Sequence, residues 1–423
     1  MGEHRVKVVR FASGERFPVL VDGIGFPLYM PTLFAVMELR MRNLASNTIG
    51  NALRSLQLLV WFLEREQVDL IERFSAGEVL KLHELEALAQ ACRRPLEAIS
   101  EVRGSDAIRD SAFPGIRRLE GVRSRLRYEA PAIVNAAVTA TRLQCIRDYI
   151  RWLAALHLDR LGASLDQRRE LRAAVDAFAH ALEARMPSGR ASEIREGLAL
   201  DHRQRLREVT RHDSPENPWA DVHTRYRNAL MIDWLYDLGL RRGELLSVRC
   251  SDVDFRRGVV TIARRPDDPG DPRRHQPVVK TRGRELPLSA ENLDATRHYV
   301  LNIRGSLPRA RKHEYLFVAS DTGSPLSMPA LAKIFRTLRS RVPDLPPDLS
   351  PHVLRHTWND RFSEEMDKNN VPEETEKKSR SYLMGWSETS GTAGTYTRRH
   401  VREQAKRASL ELQEKMLNRK VRT

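Results

Sequence analysis

Apolar residues recur at helical spacing from about Pro31 to Arg185, and the clearest stripe is Ile49, Leu53, Leu56, Leu59, Val60 and Leu63. Ser46 and Asn47 stand just ahead of it as candidate N-caps, because a short polar side chain there can accept a bond from an unpaired backbone N–H. Leu143, Ile146, Ile150 and Leu153 predict a second helix. Trp61 and Trp152 continue these stripes and are expected in the core, where large aromatics bury most area. Residues 1–28 read differently: VKVVRF and FPVLVDG are short β-type runs around Ala-Ser-Gly-Glu, an extended arm or strand pair.

The pattern breaks at Pro187-Ser-Gly, becomes a charged helical stretch, and breaks again at Pro215 and Pro218, so residues 187–218 are read as a linker. Beyond it the periods mix. A helix is predicted through Arg225–Leu238 and ends at Gly239, a residue suited to the left-handed position after a helix. Another starts near Arg242 and runs into Ser251-Asp-Val-Asp-Phe. Two β-type runs follow, 258–265 and 276–288, with Thr281-Arg-Gly-Arg as a tight turn; the rest is helical to about residue 417. The fold class is thus mainly α with a small β-sheet in the C-terminal domain, an α+β arrangement. The expected organisation is an arm (1–28), a helical domain (29–186), the linker, a second domain (219–400) and a basic C-terminal helix or tail (401–423).

Length agrees with two cores, since 423 residues exceed what one ordinary core holds. Charge adds a partner class: 71 Lys+Arg against 56 Asp+Glu leave +15, which favours a polyanion, most commonly nucleic acid. Within residues 103–127, Arg117, Arg118, Arg123, Arg125 and Arg127 outnumber nearby acids, and we read them as a phosphate-contacting loop, against the alternative of a solvated basic loop. Cys92, Cys145 and Cys250 have no metal-like spacing and are expected as free thiols in a reducing cytoplasm. The N-terminus lacks an apolar leader, and no run approaches membrane-spanning length, so the expectation is a cytoplasmic, nucleoid-associated protein with no membrane partner.

Chemistry concentrates in four phrases: GLRRGELL, VVKTRGRELPLS, HVLRHTW and LMGWSETSGTAGTYTR. They supply Arg241, Lys280, His352, Arg355, Trp386 and Tyr396. Guanidinium, ammonium, imidazole and indole N–H groups suit a phosphodiester, and a phenol can attack it. Fixed cations can neutralise the developing charge, so neither a metal nor any other cofactor is expected. Asp267, Asp268 and Asp271 lie among Pro and Gly and look like turn residues. Each candidate has a competitor. Arg282 and Arg284 are neighbours of Lys280, His356 follows His352, Tyr382 precedes the last phrase, and Trp386 could be a core residue. Indole only donates, so Trp386 could support a phosphate oxygen but could not act as acid or base.

These phrases resemble the tyrosine recombinase (phage integrase) family over roughly the C-terminal half. The G-L-R-x-x-E-L pattern maps the first catalytic arginine onto Arg241, and the H-x-L-R-H-T box maps onto His352 and Arg355. The hairpin lysine maps onto Lys280, the histidine-or-tryptophan place onto Trp386, and the nucleophile onto Tyr396, with one residue inserted before it. Glu244 is expected to orient its turn. The resemblance implies a two-domain clamp around double-stranded DNA, with a helical core-binding domain at the N-terminal side. It implies attack by Tyr396, a 3′-phosphotyrosyl link, a free 5′ hydroxyl, and a homotetramer on two DNA recombination sites of a mobile element, with or without accessory proteins. Two readings stay open beside it: a single-duplex nick-and-reseal enzyme, such as a topoisomerase or hairpin resolvase, and a non-catalytic DNA-binding accessory relative.

Overall fold

A computed structural model describes residues 4–96, 133–160, 164–187, 197–387 and 409–410. The chain forms two compact units: Met1–Phe11 with Arg16–Ala191, and Ala12–Glu15 with Ser192–Thr423.

The first unit begins with an antiparallel pair, β1 (Arg5–Arg10) and β2 (Arg16–Val21), in the register Arg5↔Val21 to Arg10↔Arg16. Every residue of β2 is buried, because the pair lies on a long helix. Helix α1 (Tyr29–Phe34) continues as a π-helical stretch, Ala35–Arg40, before that long helix, α2 (Ser46–Glu66). Gln57 of α2 donates to the His4 carbonyl at 2.8 Å, fastening β1 as well. The start of α2 differs from expectation: Ala45 occupies the cap with no side-chain cap bond. Ile49, Leu53, Leu56 and Leu59 are fully buried, but Val60 and Leu63 are only partly so. Leu58 and Phe62 take their place, because β2 and the later helices pack on two sides of α2 and widen its apolar face. Helices α3 (Leu70–Ser75), α4 (Leu82–Cys92), α5 (Ala136–Arg160) and α6 (Leu165–Glu183) complete the unit. Leu143, Ile146, Ile150 and Leu153 of α5 are buried as their spacing predicts, while Trp61 and Trp152 are half-buried at the core's edge.

The second unit takes in much of the stretch read as a linker. Helix α7 (Leu200–Thr210) lies there, and its Leu206 and Val209 are fully buried in that unit's core. Leu198 N–H donates to Thr357 Oγ1 at 2.8 Å, so this stretch is tied down by side-chain bonds as well as by packing. Helix α8 (Val222–Leu238) starts at an Asp221 cap (Thr224 N to Oδ2, 2.8 Å) and stops at Gly239. Helix α9 (Arg242–Ser247) is shorter than its sequence predicts. Its continuation is pulled into strand-like pairing: Cys250 N–H donates to Glu314 O at 2.7 Å and Leu316 N–H to Val248 O at 2.9 Å. Three short strands make the sheet, β3 (Val253–Asp254), β4 (Val259–Ile262) and β5 (Arg284–Pro287), antiparallel in the order β3-β4-β5. The run 276–283 is not a strand; its side chains and backbone bond to other elements instead. Helices α10 (Ala290–His298), α11 (Met328–Arg341), α12 (Pro351–Lys368) and α13 (Glu373–Met384) enclose the core around Trp234. Among the described residues no helix is long and apolar enough to cross a membrane.

Candidate active site

Helix α8 can stop at Gly239 because glycine accepts φ +60° there without a Cβ clash. A Cβ at Gly239 would stand 2.8 Å from Met384 Cε and 2.8 Å from Trp358 Cγ. That close approach sets the end of α13 and the middle of α12 against the turn carrying Arg241. Arg241 then caps α9, and its N–H donates to Glu244 Oε2 at 3.0 Å.

Glu244 is 1% exposed and gathers the surrounding segments. Its carboxylate accepts from Thr281 Oγ1 at 2.6 Å and from Arg284 Nη2 at 2.9 Å. Arg241 Nη1 lies 3.5 Å away and Arg355 Nη1 3.9 Å away. Burial works against the charge, but Arg284, then Arg355 and the Thr281 hydrogen bond, outweigh it and hold the carboxyl below its ordinary range. The site therefore has a fixed anion beneath its cations, which lets three guanidiniums stand close together without mutual expulsion.

Arg355 comes from α12, whose first turn holds Pro351 and is capped by Ser350 (Val353 N to Oγ, 3.4 Å). Its side chain is buried, with Nη1 donating to Gly239 O at 2.6 Å and Nη2 to Met384 O at 3.4 Å. The guanidinium carbon sits 5.5 Å from the centre of the Trp386 ring. Trp386 is 8% exposed and packs with Met384 and Trp358, so it is both a buried residue and a neighbour of Arg355. His352, one turn before Arg355, is exposed, and its Nε2 lies 3.0 Å from His356 Nε2. The two members of H-x-x-R thus differ in exposure, because Arg355 faces the core and His352 the helix's outer edge. His356 enters as the hydrogen-bond partner of His352.

Lys280 is exposed, and no ion pair holds it among the described residues. Its backbone neighbourhood is fixed all the same. Thr281 bonds Glu244, and Arg282 N–H donates to Gly385 O at 3.1 Å. Gly385, at φ +65°, lies so close to this turn that a Cβ would meet Arg284 Nη1 and Thr281 Cβ at 2.8 Å. Arg284 Nε closes the link by donating to Leu383 O at 2.6 Å. Arg241, Arg355 and the Lys280 segment meet around one carboxylate, and Trp386 packs beside Arg355, although these residues are spread over some 145 residues of sequence. Tyr396 lies outside the described residues, as do Arg117, Arg118, Arg123, Arg125 and Arg127.

Arg284 and Thr281 are the members that sequence reasoning did not select. The signal for Arg284 was alternation: in β5 it shares a face with Leu286, and both are buried. Asp268 and Asp271, read as turn residues, are ion-paired to Arg249 and Arg273. Among the described residues no group of three or more His, Cys, Asp or Glu side chains is placed to hold a metal ion.

Residues 214–403 match the phage integrase family. The tyrosine recombinase XerD of Halalkalibacterium halodurans is 28% identical over 132 residues, which cover 31% of this chain and 39% of that protein. The chain therefore spans about two-fifths of the length of that curated relative. XerD of Staphylococcus aureus is 26% identical over 143 residues, 34% of this chain and 43% of that one. Among solved structures, that of XerA recombinase aligns over 89% of this chain and 97% of its own, at 17% identity and a TM-score of 0.37. Residues 214–403 of the chain thus match the phage integrase family, and the curated relatives similar to part of the chain are tyrosine recombinases.

Proposed function

We propose that this chain is a site-specific DNA recombinase that cuts and rejoins duplex DNA, with Tyr396 as nucleophile. One observation carries the reading: Arg241, Arg355 and the Lys280 segment converge on the buried carboxylate of Glu244, with the Trp386 ring beside the Arg355 guanidinium. The match of residues 214–403 to the phage integrase family supports it. Arg241, Arg355, His352 and Trp386 hold the non-bridging oxygens of the scissile phosphate, where fixed donors stabilise charge as it develops. The Tyr396 phenol loses its proton to His352 or to water, and its oxygen bonds to phosphorus. The bond to the 5′ oxygen breaks as the Lys280 ammonium gives that oxygen a proton. One phosphodiester is exchanged for another, so no ATP is consumed, and the 5′ hydroxyl of a partner strand reverses the step. The working assembly is a homotetramer on two recombination sites, serving integration, excision or transposition of a mobile element on the bacterial nucleoid. The arginines at 117, 118, 123, 125 and 127 contact phosphates beyond the site.

The test is covalent capture. The full chain is incubated with sheared genomic DNA of its source and with nicked duplexes, and adducts are resolved on denaturing gels. Wild type is expected to trap DNA at a recurrent sequence, whereas Tyr396→Phe binds the same duplex without forming an adduct. An adduct surviving in Tyr396→Phe would sink the assignment. A wild type that binds duplex DNA but never forms one would favour the accessory role. Crossover products from paired copies of the captured site, as against relaxation of a single plasmid, separate recombination from simple nicking and resealing.

A further inference from the structure

The loop between β4 and β5 is far longer than two antiparallel neighbours need, since two residues can close such a pair. Its residues are also pinned in an unusual way. Arg273, 8% exposed, holds Asp271 with Nε at 2.9 Å and Nη2 at 2.8 Å. Its Nη1 donates to two carbonyls on separate segments, Leu246 O and Leu326 O, both at 2.9 Å. Its guanidinium carbon lies 4.4 Å from the centre of the Tyr315 ring. Tyr315 in turn donates to Asp268 Oδ2 at 2.6 Å, on the carboxylate that pairs with Arg249. A buried guanidinium is tolerated only when its N–H groups are matched, and this matching demands one geometry.

Leu246 belongs to α9, the helix that starts beside Arg241. The same helix grips the loop again further along the chain. Ser247 Oγ lies 3.1 Å from Pro277 O and shares its one proton between that carbonyl and Gly243 O at 2.7 Å. Gly243 lets Val278 approach so closely that a Cβ would stand 2.5 Å from Val278 O. Glu244 then takes the Thr281 hydroxyl at 2.6 Å. Residues 273–281 are thus fastened at four successive places to one short helix, and the exposed Lys280 sits inside the fastened stretch.

We infer that Arg273 is a positioning residue: by locking the β4–β5 loop to α9, it fixes where the Lys280 ammonium stands relative to Arg241. The inference rests on the proposed role of Lys280 as proton donor to the leaving 5′ oxygen. Lysine has a long stem with many rotamers, so a fixed backbone restricts the search for the one oxygen that needs the proton.

The experiment compares two forms of the duplex captured above, one ordinary and one with sulfur at the bridging 5′ position. A thiolate leaves without being protonated, so loss of proton donation shows only on the oxygen substrate. Single-turnover adduct formation is measured for the full chain at saturating protein. Lys280→Ala is expected to lose about 100-fold on oxygen, a usual size for general acid catalysis, and little on sulfur. Arg273→Met is expected to lose roughly 30-fold on oxygen, as a displaced acid should, with sulfur near wild type. Ser247→Ala, a mild change that removes one fastening, should show the same pattern at about threefold, and it carries the test if Arg273→Met does not fold. If Lys280→Ala is rescued by sulfur while the other variants lose equally on both substrates, or lose nothing on either, the inference is overturned and the proton-donor reading stands. If Lys280→Ala is not rescued, that reading fails and takes this inference with it.

Discussion

A carboxylate as buried as Glu244 must be either matched or protonated, and its neighbours match it. Arg284 is the strongest partner, 1% exposed on its side chain and 2.9 Å from Oε2. Arg284→Met would leave a buried anion short of its main counter-charge. We expect it to cost about 3 kcal/mol in denaturant unfolding, the usual scale for breaking a buried pair from one side. Adding Glu244→Gln should recover part of that loss, because the double variant no longer buries an unmatched charge. Losses that simply sum would mean the two side chains do not act as a pair. The sequence disclosed the cations of this site far better than the anion beneath them. Arg241, Arg355 and Trp386 announce themselves by local phrases; the two arginines lie around Glu244 and Trp386 lies beside Arg355. Alternation in β5 marks Arg284 as buried, but what selects it as the partner of Glu244 is a contact spanning 40 residues.

Elements were legible where one face decides their fate and obscure where a distant partner does. The α2 and α5 stripes predicted burial of Ile49, Leu53, Leu143 and Ile146, all at 0% exposure. The end of α9 and the run 276–283 were misread because their bonds go to residues far along the chain, such as Glu314 and Gly385. Helix α8 carries a further consequence that no pattern shows. Asp233 and Asp237 stand one turn apart on it. Burial, then the Asp237 charge and that of Glu291, raise the Asp233 carboxyl from 3.8 to about 7, with Arg207 opposing. The folded state therefore holds this proton more tightly than the unfolded chain does. Its contribution to stability is complete below about pH 4 and is lost as pH rises through 7. Asp233→Asn should remove that dependence. Its melting temperature relative to wild type is expected to be near zero difference at pH 4, to climb up to about pH 7 and to level off above that. A difference that stays flat across this range would show that Asp233 titrates as an ordinary carboxylate.

At the scale of the whole molecule the governing quantity is +15, carried by a chain whose site is itself an island of cations over a single anion. Such a protein should bind any duplex through phosphates before it recognises a sequence, and that binding is set by counterion release. A plot of log affinity against log salt is expected to fall with a slope of about −0.9 for each phosphate contacted. Six such contacts would cost about a thousandfold between 50 and 200 mM salt. The slope also tests the arginine-rich stretch independently of catalysis. Replacing Arg117, Arg118, Arg123, Arg125 and Arg127 with glutamine should flatten it by up to about 4.5 units if all five meet phosphate. The rate of adduct formation on saturated DNA should change little, because none of the five is among the residues proposed to act on the scissile phosphate. Fluorescence anisotropy with a labelled non-specific duplex over a salt series reads the slope directly. A slope unchanged by all five substitutions would show that these arginines are a solvated loop, and that the contacts supplying non-specific affinity lie on other surfaces of the chain.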